Sequence, residues 1–278
     1  MSDAAASLYL DLLKRSLIGL IHEDPGIRFT WDDPDASTFV PFDRDARLHA
    51  RDWPSRADTM IGMRRLDHLE ALVTGILAAG TPGDLIETGV WRGGATIFMR
   101  GVLKAHGVAD RTVWVADAFA ARFPTTEDEG ASSRSFTSPA LAELRRLHAG
   151  IDPMTATFKA RHDALWAGTS YDEVRERFSR YGLLDEQVRF LRGWFRDTLP
   201  SAPIEHLALL RVDGDLYDST YDALDALHPR LAPGGYAIVD DYGDFAECRQ
   251  AVHDYFAAAG IDPALEPIDD DAVFWQKR

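Results

Sequence analysis

The stretch DLIETGVWRGGATIFMRGVLKAHG, Asp84–Gly107, decides the fold. It opens with a short apolar run, DLIET, turns at Gly89, passes the adjacent glycines Gly93 and Gly94, and carries helical spacing to a stop at Gly107. A strand, a glycine-bearing turn and a helix start, in that order, begin a βαβ unit. The turn is not a dinucleotide fingerprint. In G-x-G-x-x-G the middle glycine lets the backbone approach a pyrophosphate, and that position here is Trp91. The G-x-x-x-x-G-K-[ST] pattern of a phosphate cradle is absent too. What remains is E-x-G-x-x-x-G, at Glu87, Gly89 and Gly93. It is either a plain tight turn that needs glycine for positive φ, or the rim of a site for an adenosine ligand without phosphates, which tolerates a wider loop. An acid one strand later, Asp117 in RTVWVADAF, favours the second reading.

Outward from this stretch the same alternation repeats. RTVWVADAF reads as a strand, YDEVRERFSRYGL as a helix and QVRFLRGWF as a strand. HLALLRVDGD, STYDALDALHPRL, GGYAIVDDYG and DFAECRQAVHDYFAAAG continue as strand, helix, strand and helix, and LEPIDDDAVFWQK reads as a closing hairpin. Strands alternating with helices imply a doubly wound α/β domain with a mostly parallel sheet. Upstream, Leu8 to Ile21 has helical spacing, with Leu8, Leu12, Leu13, Leu17, Leu20 and Ile21 as its apolar face, and Met60 to Ala79 reads as a second helix. Between them the Pro- and Asp-rich run from Glu23 to Pro54 has the turn chemistry of a long loop or flap.

Composition narrows the partners. The chain has 278 residues, 46% of them hydrophobic, enough for a sizeable core. A net charge of −15 with no dense Lys/Arg stripe argues against nucleic acid and against an anionic membrane surface. The single cysteine, Cys248, can form no internal disulfide and has no zinc spacing around it. Asp11, Lys14 and Arg15 interrupt the leading apolar residues, so no signal peptide is expected, nor a membrane span. The expected location is the cytoplasm.

In doubly wound sheets ligands bind beyond the carboxyl ends of the strands. Glu87, Asp117, Asp213, Asp240 and Asp241 all fall at or near such ends. Asp213 closes one strand, and Asp240 with Asp241 the next. Neighbouring strands lie roughly 5 Å apart, so three carboxylates there repel unless a cation neutralises them. Hard oxygen donors of this kind suit Mg²⁺ better than Zn²⁺, since no histidine or cysteine is near in sequence. The plain alternative is a set of solvated acids.

E-x-G-x-x-x-G resembles the first motif of S-adenosylmethionine-dependent methyltransferases. On that resemblance Glu87 accepts the ammonium of the methionine part and Asp117 chelates the ribose hydroxyls. The acid layout resembles catechol O-methyltransferase-like enzymes, where a lysine three residues after the first metal acid is the base. Leu216 stands at that position, which moves the role to a metal-bound Asp213. Read together, YLDLLKRSL, RDWPSRADTMIGMRRLDHL, DLIETGVWRGGATIFMRGVLKAHG, YGLLDEQVRFLRGWFRDTLP, LRVDGDLYDSTYDAL and GGYAIVDDYGDF are similar to the macrocin O-methyltransferase family.

This resemblance implies a class I methyltransferase fold, with a Rossmann-like, mostly parallel seven-stranded sheet and an antiparallel closing strand. N-terminal helices and a lid are expected over residues 1–80. The S-adenosylmethionine-binding domain is expected over 81–278, with an inserted lid around 123–170. It also implies S-adenosyl-L-methionine and Mg²⁺, a homodimer, and a deoxysugar hydroxyl on a natural product as acceptor. The implied metal ligands are Asp213, Asp240 and Asp241, with Asp213 also the base. Thr88, Gly89, Trp91, Gly93, Gly193 and Trp194 join Glu87, Asp117 and Asp213 around the cofactor, and Tyr217 and Tyr242 are candidates for the acceptor sugar. DAFAARFPTTEDEG departs from the family's usual DSFEGLP run, which bears on substrate identity rather than on the reaction. Two alternatives stay open: an NAD-dependent oxidoreductase on the same architecture, and an O-methyltransferase for a non-sugar vicinal diol or catechol.

Overall fold

A computed structural model describes residues 3–28, 38–120 and 167–278. The chain begins with α1 (Asp3–Leu17), followed by short strands β1 (Gly26–Arg28) and β2 (Thr38–Val40), helix α2 (Arg44–Leu48), strand β3 (Trp53–Pro54) and helix α3 (Gly62–Ala79). Next come β4 (Asp84–Thr88), α4 (Gly94–Ala105) and β5 (Val113–Asp117), then α5 (Tyr171–Arg180), β6 (Val188–Arg192) and the single turn α6 (Phe195–Thr198). The last part holds β7 (Leu207–Val212), α7 (Tyr217–Leu227), β8 (Leu231–Val239), α8 (Ala246–Ala259), β9 (Glu266–Pro267) and β10 (Val273–Gln276). Of the lid expected around 123–170, residues 123–166 lie outside the described residues.

The sheet runs β6–β5–β4–β7–β8–β10–β9. The pairs β6–β5, β5–β4, β4–β7 and β7–β8 are parallel, and β10 runs antiparallel to both β8 and β9. This is the doubly wound, mostly parallel sheet with an antiparallel closing strand. The direction of winding reverses between β4 and β7, so the crevice for a ligand opens at their carboxyl ends.

Alternation along the strands sorts side chains into two apolar clusters. Leu85, Val113, Val115, Leu209 and Ile238 face α1, α3, α4 and α5. Ile86, Trp114, Leu210, Val212, Ala237 and Val239 face α7 and α8. The N-terminal helices bury their faces in the first cluster, beside β4 and α4. The buried face of α1 is Ala6, Leu10, Leu13 and Leu17, and the helix ends at Leu17. Leu8 and Leu12, expected inside, are 73% and 59% exposed. At 100° per residue they stand opposite Leu10, which the sequence reading left out. The described parts of the Glu23–Pro54 run hold strands and not only turns: β1 pairs antiparallel with β2 and with β3.

The second cluster holds a buried histidine. Trp275 Nε1 donates to His228 Nε2 at 3.3 Å, and His228 Nδ1 stands 3.0 Å from the Tyr255 hydroxyl. The ring is therefore neutral with its proton on Nδ1. Burial, with Lys277 adding, pushes its pKa down to about 4. A base held below its unfolded value takes up its proton only in the unfolded chain between pH 6.5 and 4. Stability from this site is thus whole above about pH 6.5 and lost as pH falls towards 4, on the order of 2 kcal/mol. His228→Gln keeps a donor and an acceptor without titrating. Urea unfolding of the two proteins at several pH values is expected to show their difference shrinking over that window; a constant difference would refute it.

Candidate functional site

A cavity of about 290 Å³ opens at the carboxyl ends of β4, β5, β7 and β8. Its floor is built by strand register. Glu87 on β4 lies directly opposite Arg211 on β7, and Arg211 opposite Ile238 on β8. With a period of two, Asp213 and Asp240 fall on the same face as that pair. Four charged side chains thus converge beneath α3.

Arg211 is their centre. Its guanidinium ion-pairs with Glu87, with Asp213 Oδ2 at 2.5 Å and with Asp240 Oδ1 at 2.5 Å, and it is 2% exposed. Arg65, from the first turn of α3, reaches the other oxygen of Asp240 at 2.7 Å and is itself held by Asp269 at 2.6 Å and Asp271 at 3.1 Å. The sequence alone implies that a divalent ion is what makes the three aspartates tolerable; in the structure two arginines supply part of the positive charge. Asp241 receives none of it. Among the described residues it has no ion pair, and its Oδ2 accepts the Asp215 N–H at 3.0 Å.

The three aspartates each offer an oxygen, all within 4.8 Å of one another. Burial, reinforced by Asp213, Asp215 and Asp240, raises the Asp241 carboxyl well above the usual range. Burial likewise pushes Asp215 up to about 8, helped by Asp213 and Asp240, and Asp213 up to about 6 against the pull of Arg211. A surplus of buried negative charge, made of hard oxygens, is what a divalent ion relieves, so the donor set fits Mg²⁺.

The glycine loop forms the next wall. Gly89 has φ +84°, and a Cβ there would stand 1.6 Å from the Asp213 carbonyl oxygen. The close approach of the β4 and β7 ends therefore requires glycine. Gly93, also at φ +84°, caps α4. Trp91 takes φ +47° and lies under the Arg92 guanidinium, 4.0 Å from its ring centroid. Asp117 braces the loop: its carboxylate accepts from Val90 N at 2.9 Å and Phe119 N at 2.7 Å. Burial still raises its pKa above that of an ordinary aspartate. Glu87, pushed up to about 8 by burial, keeps Oε2 buried without a hydrogen-bond partner while its side chain lines the cavity.

Of the residues singled out in the sequence, Glu87, Gly89, Trp91, Asp117, Trp194, Asp213, Asp240 and Asp241 line the cavity. Thr88 and Gly93 are buried and, like Gly193, lie outside its lining; the Gly193 N–H donates to the Asp117 carbonyl at 3.0 Å. Tyr217 and Tyr242, expected at the acceptor, do not line it. The first turn of α7 carries Tyr217 towards α8, where its hydroxyl donates to Asp254 at 2.8 Å. The Tyr242 hydroxyl stands 2.9 Å from His253 Nε2. Sequence reasoning missed Arg65, Arg211, Asp215, Asp222, Phe195 and the wall from Ala50 to Ile61, which holds Asp52, Trp53, Thr59 and Met60. Arg211 had left a signal: an arginine inside the apolar run LALLRV needs buried acids.

The family model described as macrocin-O-methyltransferase (TylF) matches residues 6–160 and 149–277. The 8-demethyl-8-(2,3-dimethoxy-alpha-L-rhamnosyl)-tetracenomycin-C 4'-O-methyltransferase of Streptomyces olivaceus is 49% identical over 278 residues, covering 99% of this chain and 95% of the relative. The mycinamicin III 3''-O-methyltransferase of Micromonospora griseorubida is 46% identical over 270 residues, covering 97% and 96%. Among solved structures, the O-methyltransferase NovP superposes with a TM-score of 0.81 at 45% identity, over 98% of this chain and 99% of that one.

Proposed function

Because the chain belongs to the macrocin-O-methyltransferase (TylF) family, we propose that it moves a methyl group from S-adenosylmethionine to a deoxysugar hydroxyl on a natural product, with Mg²⁺ held by Asp213, Asp240 and Asp241. The observation that carries this reading is the meeting of three carboxylates, within 4.8 Å of one another, with the glycine loop in one cavity. Its relatives from Streptomyces olivaceus and Micromonospora griseorubida are named for rhamnosyl-tetracenomycin and mycinamicin substrates, which supports a glycosylated acceptor. Family membership removes the nicotinamide alternative.

The sulfonium supplies the methyl group, and the divalent ion, when bound, lowers the pKa of the acceptor hydroxyl. The rest is done by this chain. The orphaned Glu87 Oε2 takes the ammonium of the methionine part. Asp117 turns a remaining lone pair to the ribose, and Trp91 and Trp194 wall the cofactor end of the cavity. Asp213 accepts the hydroxyl proton. The attack is an in-line displacement, so holding the oxygen and the methyl in line supplies much of the rate. We read the protein as a cytoplasmic homodimer; among the described residues no helix is long and apolar enough to cross a membrane.

The test is a screen with methyl-labelled S-adenosylmethionine across glycosylated antibiotics and their desmethyl precursors, with Mg²⁺ and with EDTA. Label on a sugar oxygen that EDTA abolishes is the expected result. Transfer undiminished by EDTA would remove the metal, and transfer only to catechols or non-sugar diols would remove the sugar.

A further inference from the structure

We propose that Arg211 is a positioning residue: it holds Asp213 and Asp240 assembled before any divalent ion arrives, and its fixed charge sets how tightly that ion is held. The inference rests on the metal reading above and goes beyond it. Arg211 touches Glu87, Asp213 and Asp240, which close three different strands, and it is 2% exposed. An arginine does not lose its proton in a protein, so this charge is present whether or not an ion is bound.

The charge is placed unevenly. Asp240 has a guanidinium on each oxygen, Arg211 on Oδ1 and Arg65 on Oδ2. Asp241 has only a backbone N–H on Oδ2 among the described residues. An ion gains most beside Asp241 and Asp213, and it meets repulsion from Arg211 across the cluster. The guanidinium therefore does two opposing things. It keeps the ligand oxygens together in the ion-free protein, and it weakens the grip on the ion once it binds. A residue that merely packed the sheet would do neither.

The experiment uses the full chain stripped with EDTA and dialysed. Thermal unfolding and titration calorimetry are run without ion and with MgCl₂, on the wild type, Arg211→Met and Arg211→Lys. Without ion, Arg211→Met is expected to melt well below the wild type. With Mg²⁺ its gain in Tm is expected to exceed the wild-type gain by about 3 °C or more, with Mg²⁺ binding about tenfold tighter. Arg211→Lys keeps the charge, and its Mg²⁺-induced gain is expected to match the wild type. An equal or smaller gain in Arg211→Met overturns the proposal, as does a variant unfolded in both conditions, because the ion should stand in for the lost guanidinium. A gain in Arg211→Lys as large as that in Arg211→Met overturns the part assigned to charge. A wild type silent to Mg²⁺ in both measurements overturns this inference together with the metal reading; a responsive wild type with an indifferent Arg211→Met overturns this inference alone.

Discussion

Asp213→Asn is expected to fold and to lose methyl transfer by about 10³-fold or more. The amide has the shape of the carboxylate but neither its charge nor its basicity. Arg211 retains Glu87 and Asp240 as partners, so the floor of the cavity stays closed. The backbone N–H of residue 213 keeps its 2.8 Å bond to the Thr88 carbonyl, which holds β7 against β4. The affinity for S-adenosylhomocysteine should therefore change little while turnover collapses. Labelled-methyl incorporation measured beside calorimetric binding separates the two effects. Full activity in this variant would remove Asp213 from the role of base and from the metal site together.

Arg47→Met is expected to cost about 3–5 kcal/mol of stability, because it leaves Asp52 and the buried Asp24 without their ion-pair partner. Arg47 is 1% exposed. Its Nε donates to both oxygens of Asp52, at 2.9 and 3.0 Å, and its Nη2 to Asp52 Oδ2 at 2.8 Å. Nη1 reaches the Ile18 carbonyl at 2.7 Å and Nη2 the Asp24 carbonyl at 2.8 Å. One side chain thus ties the end of α1, the entry to β1 and the approach to β3. Methionine fills much of the volume and satisfies none of these groups. Asp52 and Trp53 line the cavity, so the loss should also appear as a raised acceptor KM. Chemical denaturation and steady-state kinetics check both; a stability within 1 kcal/mol of wild type would show that the network is dispensable.

The structure shows why parts of this were legible in advance. Alternating apolar runs and glycine turns are local signals, and they marked each strand of the large sheet correctly. The acids at strand ends were legible because the rule that places ligands there follows from topology. Arg65 was not legible: it stands 175 positions from Asp240 in the chain, and nothing near it in sequence hints at that partner. Leu8 and Leu12 misled because hydrophobicity alone does not say which side of a helix is covered. The packing of α1 against α4 buries Leu10 in their place, beside the expected Leu13. Tyr217 and Tyr242 stand outside the cavity lining because nearness in sequence to Asp213 and Asp241 does not fix side-chain direction: Tyr217 opens α7 and reaches Asp254, and Tyr242 sits in the turn before α8 and reaches His253.

By itself the sequence determined the architecture and the candidate chemistry, since strand and helix periods, the glycine loop and the residue types at strand ends are all written within a few neighbouring positions. Only the tertiary structure decided how the acids are held. Register between β4 and β7 sets Arg211 against Glu87, and the fold of α3 over the sheet brings Arg65 to Asp240. Charge compensation acts through space over a few ångströms, whatever the distance along the chain, so the partners of a buried acid are known only once the strands and helices have met.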